Sequence, residues 1–304
     1  MNRSSGDCVT KLAFTVFCTF VLSTCGSSAF AQTPSLDLGR PGFEMGGRYW
    51  YSTGRNAYNY YTDPTPSALI SRLTYDGLSA HSGEIFFRGD TTSGLFLKGI
   101  VGAGAIGGGN LKDEDFAPYT VPYSQTTSAT VGNLSFGSID LGYSFVRQPH
   151  VRVGAFVGYG RWNESATAMG CTQLASSSIC TPSLDPALAG IKETDHWDLL
   201  RLGLSADVLI FERWKLSADA AYVWARQKAL DQHYFTFGSD PSSGKGEGYQ
   251  FEALVSYQMT EKFTVGVGGR LWHLDTTAID NVNQLLSYQT QRYGAFVEAT
   301  WKLN

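Results

Sequence analysis

Two short segments of the sequence carry side chains whose types and spacing suit chemistry. Asp113 and Asp115 lie two positions apart, and so do Asp231 and His233. In an extended chain, residues two apart point to the same side. An aspartate beside a histidine orients the imidazole and raises its basicity, while two close carboxylates can hold a water or share a proton. Brought together, the four residues would form a site that activates water for peptide hydrolysis.

Both motifs also have ordinary interpretations. An Asp-x-Asp in a polar segment is more often solvated or a weak cation site, and an Asp-x-His at a strand end is commonly structural. Motifs this short are hypotheses until the elements that position them are known.

Those elements show period-two alternation of apolar and polar residues, and no long helical periodicity. In residues 200–210 every even position is apolar, while the odd positions include Arg201 and Asp207. Residues 214–224 and 263–271 alternate in the same way. Beyond the N-terminal segment, no stretch approaches the roughly 18 apolar residues of a membrane-spanning helix. The pattern predicts an all-β protein.

A soluble β-sandwich would alternate too, but three features favour a membrane barrel. The apolar faces end in Trp or Tyr, as at a membrane interface. The connections alternate between very short and long, as in outer-membrane barrels. The last strand has an apolar face over residues 293–303, and a strand at the chain end can close a barrel and leave no edge unpaired in lipid. We therefore predict a transmembrane antiparallel up-and-down β-barrel in the bacterial outer membrane.

The alternation predicts ten strands with both termini on the periplasmic side, so that every long connection is extracellular. Several strands exceed the roughly 9–11 residues that cross hydrocarbon, so the barrel should project above the membrane and leave room for a site at its mouth. The predicted strands are residues 43–55, 69–89, 93–106, 131–147, 150–165, 193–211, 214–230, 246–259, 262–278 and 288–303. The predicted long connections are 56–68, 107–130, 166–192, 231–245 and 279–287, of which the second contains Asp113 and Asp115.

The first 31 residues have the layout of a cleaved secretory signal peptide. Basic residues flank a polar start, an apolar run extends to about Leu22, and residues 29–31 read Ala-Phe-Ala, a cleavage signature. Cys25 offers an alternative lipoprotein site, but the Thr before it disfavours lipidation. Residues 32–304 are then a single barrel domain without an internal repeat.

Net charge and cysteine content argue against two kinds of binding site, for nucleic acid and for zinc. Loss of Arg3, Lys11 and Asp7 with the signal reduces the 23 basic and 27 acidic residues to 21 and 26. This excess of acid argues against nucleic-acid binding. Cys171 and Cys180 remain, and two cysteines at this spacing in an exported chain predict a disulfide. Zinc would need more ligands than this pair offers nearby.

The sequence resembles the omptin family of outer-membrane proteases. The family carries Gly-Gly-Asn-x-x-Asp-x-Asp-aromatic in its second outer loop, matched by residues 108–116, and Asp-x-His-Tyr at the end of its seventh strand, matched by 231–234. Residues 70–75 and 151–159 resemble its second and fifth strands. The similarity spans nearly all of the chain after the signal, at low identity, and strand number and loop order agree.

The resemblance implies an aspartic-type endopeptidase with its groove at the extracellular mouth. In such enzymes an Asp pair and an Asp–His couple face each other and activate a water. Carried over, Asp113 and Asp115 hold the water, His233 is the general base and Asp231 orients it. No metal, cofactor or acyl-enzyme is implied. The expected partners are peptide or protein substrates and outer-membrane lipid, since family members typically need lipopolysaccharide for activity, and the chain is expected to be a monomer.

The departures from the family leave cleavage specificity open. Omptins recognise basic substrate side chains through acidic residues. One of these acids lies two positions before the catalytic Asp, where this chain has Ala229. Residues 55–58 lie around the place of another such acid and read Arg-Asn-Ala-Tyr, so a buried substrate cation would lack its usual counter-charge. Asp195 and His196 are a further candidate pair at the edge of the third outer loop.

Two more departures leave the lipid contact and the activity itself open. The lipid-A-contacting Tyr-x-Glu-x-Arg of the family is not kept in residues 159–163, although Arg161 and Arg226 are candidates for phosphate contacts. The alternative function is a non-catalytic barrel, either a structural or adhesive surface protein or a narrow pore. Ten strands are too few for a general diffusion porin, because the lumen widens with strand number.

Overall fold

Outward and inward side chains alternate along the strands, and the strands close on themselves. In the computed structural model, ten antiparallel strands form one closed barrel in which each strand pairs with its chain neighbours and β1 pairs with β10. The predicted ten-stranded up-and-down barrel is confirmed. The strands are β1 (Gly42–Tyr61), β2 (Leu69–Asp90), β3 (Leu95–Asp115), β4 (Ser124–Gln148), β5 (Val151–Ala175), β6 (Leu184–Phe211), β7 (Trp214–His233), β8 (Gly238–Gln258), β9 (Phe263–Ile279) and β10 (Leu285–Lys302).

The structure describes residue 36 and residues 40–62, 68–116, 121–175, 178–234, 238–280 and 284–303. The predicted signal peptide, residues 1–31, lies outside them. Within these ranges, no helix is long and apolar enough to cross a membrane.

The strands extend further than predicted at the end of the barrel opposite the termini, which we call the mouth. Residues 107–130 and 166–192 were expected to be long connections, and this prediction is wrong for most of them, because β3, β4, β5 and β6 continue through these segments. The other three predicted connections are shortened in the same way. The physical reason is that strands above the lipid no longer need an apolar outer face. Their ladder hydrogen bonds continue while the period-two hydrophobic signal disappears.

An apolar belt with aromatic edges surrounds the barrel. On β7, Trp214 lies at the edge near the termini, and Tyr222 and Trp224 lie at the edge toward the mouth, all more than 40% exposed. Leu200, Leu202 and Leu204 of β6 are also exposed between these edges. A strand span of about ten residues between aromatic rows fits the hydrocarbon thickness of a bilayer.

The lumen inside this belt is filled by ion pairs and, toward the mouth, by aromatic rings. Arg270 has no exposed side-chain surface and binds Glu84 at 2.6 Å and Glu252 at 2.7 Å. Arg48 binds Glu252 at 2.7 Å and Glu298 at 2.6 Å. Such pairing offsets the desolvation of buried charge. The aromatic layer consists of Trp50, Phe136, Trp162, Trp197 and Trp272. The space above this layer is therefore where a ligand can enter.

Candidate active site

Asp113 and Asp115 lie at the mouth end of β3, in the strand and not in the loop that was predicted. Lower in β3 the inward positions are even-numbered, and Ile106 is buried among the core residues. Between Ile106 and Asn110 a bulge gives β3 one more residue than β4, and Gly109 within it has φ +139°. One extra residue moves all later side chains to the other face. The bulge therefore turns the two aspartates toward the lumen.

The neighbouring strand β2 is irregular at the same height. Its register with β3 shifts between Asp76 and Ser79, and Gly77 there has φ +64°. Beyond the shift, Ser71 pairs in register with Asp115 and donates a hydrogen bond to its carboxylate. Because both strands are irregular at this height, the pairing of β2 with β3 resumes beyond the shift. This end of β2 therefore lies beside the aspartate pair.

The second pair reaches the site without any bulge. β7 and β8 stay in continuous register from Trp214 to His233, so the odd positions of β7 remain inward. Asp231 is 4% exposed, and its Oδ2 lies 3.0 Å from Nε2 of His233. The hydroxyl of Tyr60 donates to the same oxygen at 3.2 Å. An ionised Asp231 accepts the Nε2–H of His233, which leaves Nδ1 as the basic nitrogen.

The two pairs lie within electrostatic reach of each other, although β3 and β7 are not neighbours in the barrel. Burial, followed by the charge of Asp115, raises the pKa of Asp113 to about 7, and a charged His233 opposes that rise. Burial raises the pKa of Asp115, against the Ser71 hydrogen bond and His233. The Asp231 hydrogen bond raises the pKa of His233 against its burial, and Asp113 and Asp240 contribute. The structure thus brings together a protonatable aspartate pair and an oriented imidazole.

Two more acids lie deeper, on β6, and neither was predicted to act with Asp231. Glu193 is 1% exposed and pairs in register with Asp231. Asp195 accepts hydrogen bonds from Tyr58 at 2.6 Å and from Gln227 at 2.7 Å. The signal that would have found Glu193 is the inward phase of β6. The predicted strand starts at residue 193, and Glu193 shares the odd, inward phase of Arg201 and Asp207.

The predicted Asp195–His196 pair does not form a site, because the side chains of adjacent residues in a strand point to opposite faces of the sheet. His196 points outward, and its Nδ1 lies 2.7 Å from the side-chain oxygen of Asn163. Asp195 faces the lumen and pairs in register with Ala229. A carboxylate is therefore present beside Ala229, supplied by the neighbouring strand.

Three other predicted features have defined places. Cys171 and Cys180 form a disulfide with a Cα–Cα distance of 5.8 Å. Arg161 lies on the outer wall, where it pairs with Asp198 at 2.8 Å, and Arg226 is exposed on the outer face of β7.

Among the residues that the structure describes, no group of three or more His, Cys, Asp or Glu is placed to hold a metal ion.

Comparisons with known proteins support the fold. No protein-family model matches the chain, and no curated protein matches it. Among solved structures, the outer membrane protease OmpT from Escherichia coli superposes with a TM-score of 0.72 at 16% identity, over 86% of this chain and 97% of that one. The translocator domain of the autotransporter NalP from Neisseria meningitidis gives a TM-score of 0.34 at 9% identity, over 84% of this chain and 88% of that one. The chain therefore has an outer-membrane β-barrel fold like that of OmpT, from which it is distant in sequence.

Proposed function

We propose that the chain is an omptin-like endopeptidase of the bacterial outer membrane that hydrolyses peptide bonds at the extracellular mouth of the barrel. One observation carries this proposal. The pair Asp113 and Asp115 and the pair Asp231 and His233 lie within electrostatic reach of each other, above a lumen that side chains fill. Two strands far apart in the sheet deliver these pairs, and one of them needs a bulge to do so.

In the proposed reaction, a water between the two pairs attacks the peptide carbonyl carbon. His233 takes a proton from this water through its free ring nitrogen, while Asp231 holds the imidazole and stabilises its charged form. The raised pKa of Asp113 allows the aspartate pair to retain one proton near neutral pH, which can hydrogen-bond to the developing oxyanion. The imidazolium then protonates the leaving amine. The reacting groups in these steps are side chains of this protein, the water and the peptide bond of the substrate.

The acids at the mouth favour substrates that carry positive charge. Asp240 is an exposed acid near His233, and Asp115 is partly exposed at the mouth end of β3. Such a field raises the local concentration of basic peptides. It supports peptides and proteins with basic residues as the substrate class.

Lipopolysaccharide is the proposed lipid partner of a monomeric barrel. Arg226, Lys228 and Lys245 are exposed on the outer wall, above Trp224 at the aromatic edge. Basic side chains at this height can pair with phosphate groups of the outer leaflet. The alternative of a narrow pore is disfavoured, because side chains without solvent exposure fill the lumen within the belt.

The test is cleavage of a mixed peptide library by refolded protein with and without lipopolysaccharide. Asp113→Ala and His233→Ala serve as controls, with folding checked by circular dichroism. The proposal expects cleavage by the wild type that both variants lose. Cuts that persist in the variants, or a folded wild type that cuts nothing, would overturn it.

A further inference from the structure

Glu193 is a buried acid with no assigned role and no visible partner. Neither of its carboxylate oxygens has a hydrogen-bond partner among the described residues. The charges that act on it, from Asp195 on its own strand and Asp231 on β7, are both negative. An ionised carboxylate is strongly disfavoured in such a place. Glu193 therefore belongs in its neutral form, with a proton to donate.

The groups around Glu193 leave few acceptors for that proton. The phenols that interact with it come from β1, β2 and β10, namely Tyr58, Tyr60, Tyr75 and Tyr288. The hydroxyl of Tyr75 is also buried without a partner among the described residues, but a neutral phenol oxygen is a weaker acceptor than a carboxylate. Asp195 already accepts one hydrogen bond on each oxygen, from Tyr58 on Oδ2 and Gln227 on Oδ1. Its need for donors is met.

Asp231 has the complementary deficiency. Its Oδ2 accepts from Tyr60 and His233, while its Oδ1 is buried and has no donor among the described residues. Glu193 is its partner in the β6–β7 register, and directly opposed side chains have Cβ atoms about 4.5–5.5 Å apart. A donor without an acceptor thus faces an acceptor without a donor.

We propose that Glu193 is held in its protonated form and donates its carboxyl O–H to Oδ1 of Asp231, as a positioning residue for the Asp231–His233 couple. The bond keeps the Asp231 carboxylate in one orientation, with Oδ2 toward the imidazole. Burial, with the charges of Asp195 and Asp231, raises the pKa of Glu193 well above its ordinary value. As pH rises through that pKa, the bond is lost and two carboxylates face each other, so activity falls on the alkaline side.

The activity test rests on the proposed function and uses a peptide that the wild type cuts. Glu193→Gln keeps a donor for Oδ1, whereas Glu193→Leu keeps the bulk and removes the donor. We expect Gln to stay within about threefold of wild-type kcat and Leu to lose about ten- to a hundredfold, with KM little changed. We also expect the Gln variant to lose the alkaline decline, because an amide does not ionise. Equal impairment of both variants, with both folded, would overturn the proposal.

A second readout needs no activity. Infrared difference spectra of folded wild type against Glu193→Gln should show the C=O stretch of a protonated carboxyl at neutral pH. Glu261→Gln, the same change in the exposed turn after β8, should retain it. Absence of this band from the wild type overturns the role of Glu193 even if the protein is a peptidase. Its presence in a protein that cuts nothing overturns the proposed function alone.

Discussion

Nε2 of His233 lies 3.0 Å from Oδ2 of Asp231, two residues earlier on the same strand. This contact fixes the tautomer of the imidazole, because an ionised carboxylate can only accept. Asp231→Asn replaces the acceptor by an amide that can donate, which favours the opposite tautomer. We predict a kcat loss of about a hundredfold or more with unchanged folding, measured as steady-state cleavage of a cut peptide. Activity within a few-fold of wild type would show that Asp231 does not orient the base.

The acid limb of the pH–rate profile should respond to Asp240, which adds to the larger effect of Asp231 on the pKa of His233. Asp240 pairs in register with Asp231 across the β7–β8 ladder and raises the pKa of His233. Hydrolysis needs neutral His233, so activity rises as pH passes the imidazole pKa. Asp240→Asn should lower that pKa and move the acid limb of kcat/KM to lower pH. Glu212→Gln, in the exposed turn before β7, is the matched control and should leave the limb unmoved. A shift to higher pH in the Asp240 variant would contradict the assignment.

The mouth of the barrel should lose stability as pH rises through neutrality. Burial is the first cause that raises the pKa values of Asp113 and Asp195 to about 7. An acid whose pKa is raised by folding contributes stability that is complete below its unfolded pKa and disappears as pH passes its folded pKa. The urea midpoint should therefore be lower at pH about 8 than at about 5, and Asp113→Asn should reduce the difference. A higher midpoint at the alkaline pH would refute this assignment.

The β3 bulge should tolerate substitution at one glycine and not at another. A Cβ on Gly109, at φ +139°, would lie 2.8 Å from the Leu78 side chain and 3.0 Å from the Asp76 carbonyl oxygen, whereas a Cβ on Gly107 meets nothing within 4 Å. Gly109→Ala should destabilise the barrel by about 1–3 kcal/mol and reduce cleavage by displacing Asp113. Gly107→Ala should match the wild type in urea unfolding and in kcat. Equal behaviour of the two variants would show that the bulge does not position the aspartates.

Much of the fold could be predicted because alternation is strong wherever one face meets lipid. The outward phase of Tyr222 and Trp224 continues along β7 without a bulge, and the structure accordingly has Asp231 and His233 on the inward side. The strand ends could not be predicted, since above the belt neither face needs to be apolar. There the chain from Ile106 to Asp115 looks like a polar loop although it is strand.

The acids of β6 show a second limit. Glu193 and Asp195 lie in a segment with the charge and polarity of a loop, and only the inward phase of Trp197 and Arg201 below them indicates where they point. Their pairing with Asp231 and Ala229 depends on the β6–β7 register, which a single sequence does not specify once the hydrophobic pattern has ended. Tyr58, which binds Asp195, comes from a strand distant in sequence. The inward direction of these two acids could therefore be read from the phase of β6, whereas their partners could be found only in three dimensions.

The most direct test of the central claim is a double-mutant cycle between the two pairs. Asp113→Asn, His233→Asn and the double variant would be compared with wild type by kcat/KM on one cut peptide. If the two pairs activate a single water, each single variant should lose about a hundredfold or more, and the double variant should be little worse than either, because groups that act as a unit are non-additive. Independent, multiplicative losses, or a single variant with near wild-type activity, would contradict a shared site.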